Sequence, residues 1–226
     1  MATQDLSHAV EDYAKAIYVL EERGGGPVTN NAIAERLEVT AASASAMVKK
    51  LDGLGLVAHV PYRGVRLTAR GRRVALEILR HHRLLERYLV EELGVPWDRV
   101  HDEAEVLEHV LSEDLEQRIA EKLGDPDRDP HGDPIPTADF EIASAATRSL
   151  AELEIGERGV FARVSDSDPA KLRYLAEQGI APGMPLELVG EEPFGGPLRV
   201  RIGAGEHALG PELAAAMRVE LAYPQN

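Results

Sequence analysis

Apolar residues recur every three or four positions through the first half of the chain, which is the period of an amphipathic α-helix. The spacing predicts six helices, over residues 7–22, 30–37, 41–52, 71–93, 98–111 and 112–123. Beyond residue 155 the period changes to two, which predicts β-strands with alternating inward and outward side chains. Four such segments predict a small open barrel. They cover residues 160–164, 185–189, 198–202 and 217–221.

Residues 30–73 combine the features of a DNA-binding module. A three-residue turn separates the second and third predicted helices, and Thr40 is placed to cap the third. That third helix is rich in small residues, which allow close approach to a major groove; an alanine-rich surface helix is the alternative. Two short strands around a turn at residues 61–64 predict a wing. The pattern indicates a winged helix-turn-helix, with Lys49, Lys50 and Arg63 near DNA phosphates.

Charge is distributed unevenly along the chain. The formal net charge is −14, but residues 23–73 hold nine Lys or Arg against three acidic residues. A basic module on an acidic body is typical of a protein that binds DNA through one region. The chain has no cysteine, which excludes disulfides, thiolate zinc sites and cysteine nucleophiles. It has neither a membrane-spanning apolar run nor a signal peptide, so we expect a cytoplasmic protein.

These patterns predict a mainly α-helical protein with small β parts. The winged helix-turn-helix is expected over residues 1–75, and a helical metal-binding and dimerisation domain over residues 76–141. A linker is expected over residues 142–154 and the small barrel over residues 155–226. We expect a homodimer, because DNA-binding proteins of this type usually need two-fold symmetry to span two half-sites.

Potential metal ligands are concentrated in the helix predicted over residues 98–111. Glu105, Glu108 and His109 stand at i, i+3 and i+4 and share one face, with His101 one turn earlier. A separate apolar stripe comprises Val106, Leu107, Val110 and Leu111. Other helices supply further donors at Glu11, Asp12, His82 and Glu86. A solvated acidic face would explain one such helix, but carboxylates and imidazoles from three helices predict a divalent-cation site.

The chain resembles the metal-dependent repressors of the diphtheria toxin repressor family. The resemblance is carried by several segments that match in order: the winged helix, Arg80–Glu86, His101–His109 and Asp129–Pro136. It is most similar to the manganese transport regulators that keep a C-terminal SH3-like (FeoA-like) domain. This implies a homodimeric repressor, not an enzyme, that binds double-stranded operator DNA with Mn²⁺ as co-repressor and controls genes of metal uptake or homeostasis.

The resemblance also implies which residues carry the function. The primary metal site would comprise Asp12, His82, Glu105, Glu108 and His109. The second site would comprise Glu86, His101, Asp129 and His131, with Asp166 as first choice and Asp168 as second choice for a ligand from the barrel. The DNA-facing positions of the third helix would be Thr40, Ala42, Ser43 and Ala46. Compact manganese regulators have Glu where this chain has Lys15, which favours one ion in each of two separated sites.

The donor atoms distinguish between possible metals. Iron-responsive members of the family have Met at the position of Asp12 and Cys at that of Glu105. Carboxylates at both positions favour Mn²⁺, although Fe²⁺ and other divalent ions are alternatives. Without metal, we expect the carboxylates of Asp12, Glu105 and Glu108 to repel and release the N-terminal helix. A metal-dependent hydrolase is the rival class, but the sequence has no HExxH helix and no evident base or nucleophile beside the cluster.

Overall fold

A computed structural model describes residues 6–143 and 146–222 of the chain. The chain divides into two compact units. The first comprises Met1–His82, Glu108–Leu111 and Pro136–Glu141. The second comprises Arg83–Leu107, Ser112–Ile135 and Ile142–Asn226. The outermost residues of the predicted first and last domains, and residues 144 and 145 of the predicted linker, lie outside the described residues.

The first unit is a winged helix-turn-helix. Its elements are α1 (His8–Gly24), α2 (Asn30–Arg36), α3 (Ala41–Gly53), β1 (Val57–Val60), β2 (Gly64–Leu67) and the first part of α4 (Ala69–Leu93). Thr29 and Thr40 begin α2 and α3, because each hydroxyl accepts a backbone N–H three residues later, at 3.2 Å and 3.1 Å. The apolar faces of α1, α2 and α3 are buried, as the periodicity predicts.

The wing is an antiparallel pair in which Val57 is opposite Leu67. Gly64 has φ +113°, and a Cβ at this position would lie 2.0 Å from the carbonyl oxygen of Val28. Val28 and Val65 form a further antiparallel bridge at this point. Glycine is therefore required here both for the left-handed backbone and for the close approach of the two chain segments.

The second unit combines helices with one antiparallel sheet. After the end of α4 come α5 (Val100–Leu107) and α6 (Glu113–Leu123). The rest comprises β3 (Thr147–Ser149), β4 (Arg158–Val164), α7 (Pro169–Glu177), β5 (Pro185–Glu191), β6 (Leu198–Ile202), β7 (Gly205–Leu209), α8 (Pro211–Ala216) and β8 (Met217–Leu221). The sheet order is β3-β8-β4-β5-β6-β7. Alternating side chains of these strands form the core around Phe161, Leu188 and Val200.

The structure corrects three details of the prediction. The helix predicted over residues 98–111 ends at Leu107, and Glu108–Val110 form a turn. Its apolar stripe is not core, since Val106 and Val110 are 71% and 70% exposed. Leu115, which the helical period of residues 112–123 predicts on the buried face of that helix, is also exposed.

The C-terminal part of the predicted linker has regular secondary structure. β3 lies within residues 142–154 and pairs with β8, and a 3-10 turn over Leu150–Glu152 follows it. A three-residue strand is too short to show an alternating pattern, so the hydrophobic periodicity did not indicate β3. None of the helices in the described part of the chain is both long enough and apolar enough to cross a membrane.

Candidate metal centre and DNA-binding surface

A cluster of carboxylates and imidazoles lies in the first unit and joins three segments of the chain. Asp12 comes from α1, His82 from α4, and Glu108 and His109 from the turn after Leu107. One ligand atom each from Asp12, Glu108 and His109 lies within 4.8 Å of the others. The structure therefore brings together four of the five residues of the predicted primary site.

Glu108 is the most buried carboxylate of this first cluster, with 1% of its surface exposed. Its Oε2 lies 2.5 Å from His82 Nδ1. Its Oε1 accepts a hydrogen bond of 2.6 Å from Lys15 Nζ. One carboxylate is thus held between a cation from α1 and an imidazole from α4.

His109 is held between two acidic side chains of α1. Its Nδ1 lies 2.7 Å from Glu11 Oε2, and its Nε2 lies 2.9 Å from Asp12 Oδ1. The hydrogen bonds to Asp12 and Glu11 outweigh the opposite effect of burial and raise the pKa of His109 to about 10. A cation that binds Nε2 must therefore displace a firmly held proton.

Glu11 was counted among the potential donors but was not assigned to the primary site, and Lys15 was not predicted to lie there, although both are part of the first cluster. Glu11 stands three and seven residues before Ala14 and Tyr18, which are both buried on α1. A carboxylate on the core-facing side of a helix usually has a specific partner, because an unpaired buried charge is costly. This position on the buried stripe is the sequence signal that distinguishes Glu11 from an ordinary surface residue.

Glu105, the fifth predicted ligand of the primary site, is on α5 in the second unit. There its Oε1 lies 3.7 Å from Nε2 of His101. Its membership of the primary site stays a prediction.

A second cluster lies within the second unit and begins at Glu86 on α4. His101 Nδ1 lies 3.4 Å from Glu86 Oε1 and 3.3 Å from Asp166 Oδ2. Burial lowers the pKa of His101, but hydrogen bonds to Asp166 and Glu86 outweigh this effect and raise it to about 10. Burial acts to raise the pKa of Asp166, but the hydrogen bond with His101 and the positive charge of that ring together outweigh burial and lower the pKa.

The other oxygen of Glu86 faces a loop that carries Asp129 and His131. His131 Nδ1 lies 3.7 Å from Glu86 Oε2, and Asp129, Glu86 and His131 form one group of potential ligands. Burial and the nearby Glu86 carboxylate raise the pKa of Asp129 to about 8. Burial lowers the pKa of His131, but the Glu86 and Asp129 carboxylates outweigh it and raise the pKa to about 9.

Asp168, the second choice for a barrel ligand, does not join this second cluster. Its Oδ1 accepts the backbone N–H groups of Ala170 and Lys171 at the start of α7, at 3.0 Å and 3.4 Å. Its Oδ2 lies 3.2 Å from Lys171 Nζ. Asp168 therefore caps a helix, while Asp166 is the aspartate that lies beside His101.

The donor set of the second cluster fits a divalent cation. His131 has no exposed surface, and its Nε2 lies 2.8 Å from the carbonyl oxygen of Trp97. A carbonyl oxygen only accepts a hydrogen bond, so Nε2 carries a proton. In the neutral ring, Nδ1 would then be the unprotonated nitrogen, with a lone pair available for a ligand bond. Within residues 6–143 and 146–222, no group forms a hydrogen bond with this buried Nδ1. Carboxylate oxygen and imidazole nitrogen are suitable ligands for Mn²⁺ or Fe²⁺.

The predicted DNA-facing residues are all exposed in the first unit. They are Thr40, Ala42, Ser43 and Ala46, together with Lys49, Lys50 and Arg63. Ala44 differs from its small neighbours, because it is fully buried and packs α3 against the core. The exposed face of α3 thus has small side chains at its N-terminal end and two lysines at its C-terminal end.

Comparison with known proteins covers nearly the whole chain. Residues 5–65 match the iron dependent repressor N-terminal DNA binding domain, residues 68–137 its metal binding and dimerisation domain, and residues 148–221 the FeoA domain. The iron-dependent repressor IdeR of Mycobacterium leprae is 35% identical, over 96% of this chain and 98% of its own. The diphtheria toxin repressor of Corynebacterium glutamicum is 33% identical over the same shares.

A solved structure agrees with these relatives. A manganese-dependent transcriptional repressor in complex with manganese is 44% identical, with a TM-score of 0.87, and the match covers 94% of this chain and 100% of that one. The chain therefore belongs to the diphtheria toxin repressor family of metal-dependent, DNA-binding transcriptional repressors, which are not enzymes.

Proposed function

We propose that Mn²⁺ is the co-repressor of this protein and that the first cluster is its regulatory site. The observation that carries the proposal is the donor set: carboxylate oxygens of Asp12 and Glu108 with nitrogen of His109, and no sulfur. Oxygen donors suit Mn²⁺, whereas sulfur suits softer or later ions. The relatives named for iron make Fe²⁺ the alternative, and Fe²⁺ also accepts these donors, so metal supply and geometry contribute to the choice.

The path from the first cluster to DNA runs through α1. Val10 and Ile17 of α1 are buried in the core of the winged helix, while Asp12 and Glu11 contact His109 in the turn. A divalent cation, when bound, would supply two positive charges and a fixed ligand geometry at this point. Because α1 carries ligands on one face and core contacts on another, its position relative to the turn affects the winged helix.

Simple repulsion between carboxylates does not describe the first cluster. Lys15 neutralises Glu108, and His109 pairs with both Glu11 and Asp12. We infer that these contacts form one of two arrangements in an equilibrium that the cation biases. To shift the ratio of the two arrangements from 1:99 to 99:1, the cation must bind one arrangement more favourably than the other by about 5.5 kcal/mol.

Substitution of Asp12 by Asn tests the proposal. We expect Asp12→Asn to need at least about tenfold more free Mn²⁺ for DNA binding, because one charged ligand is lost. The measurement is fluorescence anisotropy with a duplex from upstream of the protein's own gene, in chelator, in Mn²⁺ and anaerobically in Fe²⁺. The wild-type protein should bind only with metal, and at lower free Mn²⁺ than Fe²⁺.

The matched control is Asp139→Asn, which removes the same charge from an exposed position of the same unit. It should behave as wild type. Equal DNA binding in chelator and in Mn²⁺, or a normal response of Asp12→Asn, would refute the assignment of the regulatory site. A lower requirement for Fe²⁺ than for Mn²⁺ would instead support an iron-dependent repressor.

We propose that Glu11 is a positioning residue for His109. The hydrogen bond from Nδ1–H to Glu11 Oε2 fixes the tautomer in which Nε2 faces Asp12 and Glu108. A carboxylate behind a ligating histidine usually orients the ring and increases its basicity. Glu11 is 4% exposed, so solvent does not compete strongly for this bond.

Glu11→Ala should lower Mn²⁺ affinity by about 10- to 100-fold, because the ring loses its fixed orientation. Glu11→Gln keeps an acceptor oxygen and should recover most of this loss. The measurements are Mn²⁺ titration calorimetry and the ¹⁵N shifts of the His109 ring. Denaturant unfolding of each variant in chelator controls for changes in stability. Equal Mn²⁺ affinities of the Ala and Gln variants, together with unchanged ¹⁵N shifts of the ring, would contradict the positioning role.

We also propose that the exposed apolar side chains of α5 and α6 form the homodimer interface. Val106, Leu107 and Leu115 are 71%, 37% and 48% exposed, and all lie within the matched metal binding and dimerisation domain. Exposed apolar groups of this size usually mark an interaction surface.

Val106→Glu should shift the protein towards monomer, because dimerisation would then bury an unpaired charge. The control is Ile155→Glu, a comparable change at a position that is 67% exposed and outside that domain. Sedimentation velocity over a concentration series measures the effect. A Val106→Glu protein that stays dimeric at the wild-type concentration would place the interface elsewhere.

A further inference from the structure

We propose that His8 is a positioning residue of the first cluster, because its ring stacks on the His109 imidazole and fixes the plane of that ring. The inference deepens the proposed function and rests on it, since it assumes that the first cluster binds Mn²⁺. The centroids of the two rings are 4.5 Å apart, and the angle between their planes is 8°. This separation is within the range of about 4.5 to 7 Å that stacked aromatic side chains prefer.

A single turn of α1 holds the His109 ring from three directions. His8, the first residue of α1, stands at i with Glu11 at i+3 and Asp12 at i+4, so all three share one side of the helix. Glu11 Oε2 lies 2.7 Å from Nδ1 of the ring, and Asp12 Oδ1 lies 2.9 Å from Nε2. Hydrogen bonds at these two atoms leave the ring able to turn about the line between them. The stack on His8 restrains this rotation, because it covers one face of the ring.

The stack becomes more important when a cation binds to Nε2. The cation takes the place of the proton on this nitrogen, so the hydrogen bond from Nε2 to Asp12 is lost. Of the three contacts from α1, the hydrogen bond to Glu11 and the stack on His8 then remain to orient the ring. Groups that orient a ligating histidine contribute to metal affinity although they do not touch the ion.

The stack also joins the two elements whose arrangement we propose to be regulated. His8 belongs to α1, and His109 belongs to the turn after α5. The two rings touch only when α1 lies against this turn, so their contact belongs to the arrangement that the cation favours. A contact made in one arrangement increases its population, and the apparent affinity for a ligand rises with the population of the state that binds it. His8 should therefore lower the concentration of Mn²⁺ that DNA binding requires.

Substitution by Phe separates stacking from the other roles open to an imidazole. A metal ligand needs a ring nitrogen, whereas a stack needs only a flat aromatic face. Among the described residues, the group of potential ligands around His109 comprises Asp12 and Glu108 and does not include His8. Phenylalanine keeps the flat ring and has neither a ring nitrogen nor a charge. Because His8 is exposed, the larger ring does not displace core residues.

The test compares His8→Ala and His8→Phe in the full chain. Mn²⁺ titration calorimetry should give an affinity about 3- to 10-fold lower for His8→Ala, and one within about twofold of wild type for His8→Phe, because only the first loses the aromatic pair. Proton NMR in chelator reports the stack directly through the ring-current shifts of the His109 ring protons. These shifts should disappear in His8→Ala and persist in His8→Phe.

The matched control is His59→Ala, which removes an exposed imidazole from β1 of the same unit and should change neither measurement. The shifts in chelator do not require bound metal, so they test the stack separately from the proposed regulatory site. Wild-type Mn²⁺ affinity of His8→Ala, together with weakened binding by Asp12→Asn, would overturn the positioning role and leave the regulatory site intact. Equal losses of affinity in His8→Ala and His8→Phe would also overturn it, because His8 would then act through its nitrogen atoms or its charge.

Discussion

The burial of the Glu108 carboxylate is the constraint on which the contacts of the first cluster depend. A carboxylate with 1% of its surface exposed is tolerated only with partners of opposite charge or with hydrogen bonds. Lys15 on α1 and His82 on α4 supply them at 2.6 Å and 2.5 Å. The turn after α5 is thereby tied to the first helix of the winged helix-turn-helix and to the long helix that follows the wing. The proposed metal ligands and the DNA-binding core thus share one set of contacts.

Lys15 gives this arrangement its particular character. The ammonium group already occupies one side of Glu108, and His109 already pairs with Glu11 and Asp12. A cation would therefore exchange partners within an assembled cluster instead of drawing together groups that only repel. Such exchange reduces the change in net charge on binding and makes metal affinity depend on the protons that histidines release. The proposed effect on DNA is a shift between two arrangements of α1 and the turn.

The sequence predicted the parts that depend on local pattern. The cap of α3 at Thr40 follows from the residue type, and the wing and four of the six described barrel strands follow from the hydrophobic spacing. The candidate ligands were recognised from several segments that match the family in order. The early end of α5 was missed because Val106 and Val110 continue a helical period although they are exposed. The proposed dimer interface would explain these exposed apolar residues, and a partner surface cannot be predicted from the period of one chain.

Other features could not be predicted because they depend on tertiary placement. The role of Glu11 requires knowing that the ring nitrogen of His109 lies beside it, almost a hundred residues away along the chain. The division of the second cluster depends on which oxygen of Glu86 faces which histidine. Asp166 and Asp168 are two residues apart in the sequence. Only the position at which α7 begins shows that Asp168 is a helix cap.

The most direct test of the central claim is thermodynamic linkage between metal and DNA. If both ligands favour the same arrangement of α1 and the turn, each must increase the affinity for the other by the same factor. The measurement is the Mn²⁺ affinity of the protein alone and of the protein saturated with operator DNA. The account predicts that DNA tightens Mn²⁺ binding by the same factor by which Mn²⁺ tightens DNA binding. Mn²⁺ affinity that is unchanged by DNA would contradict it.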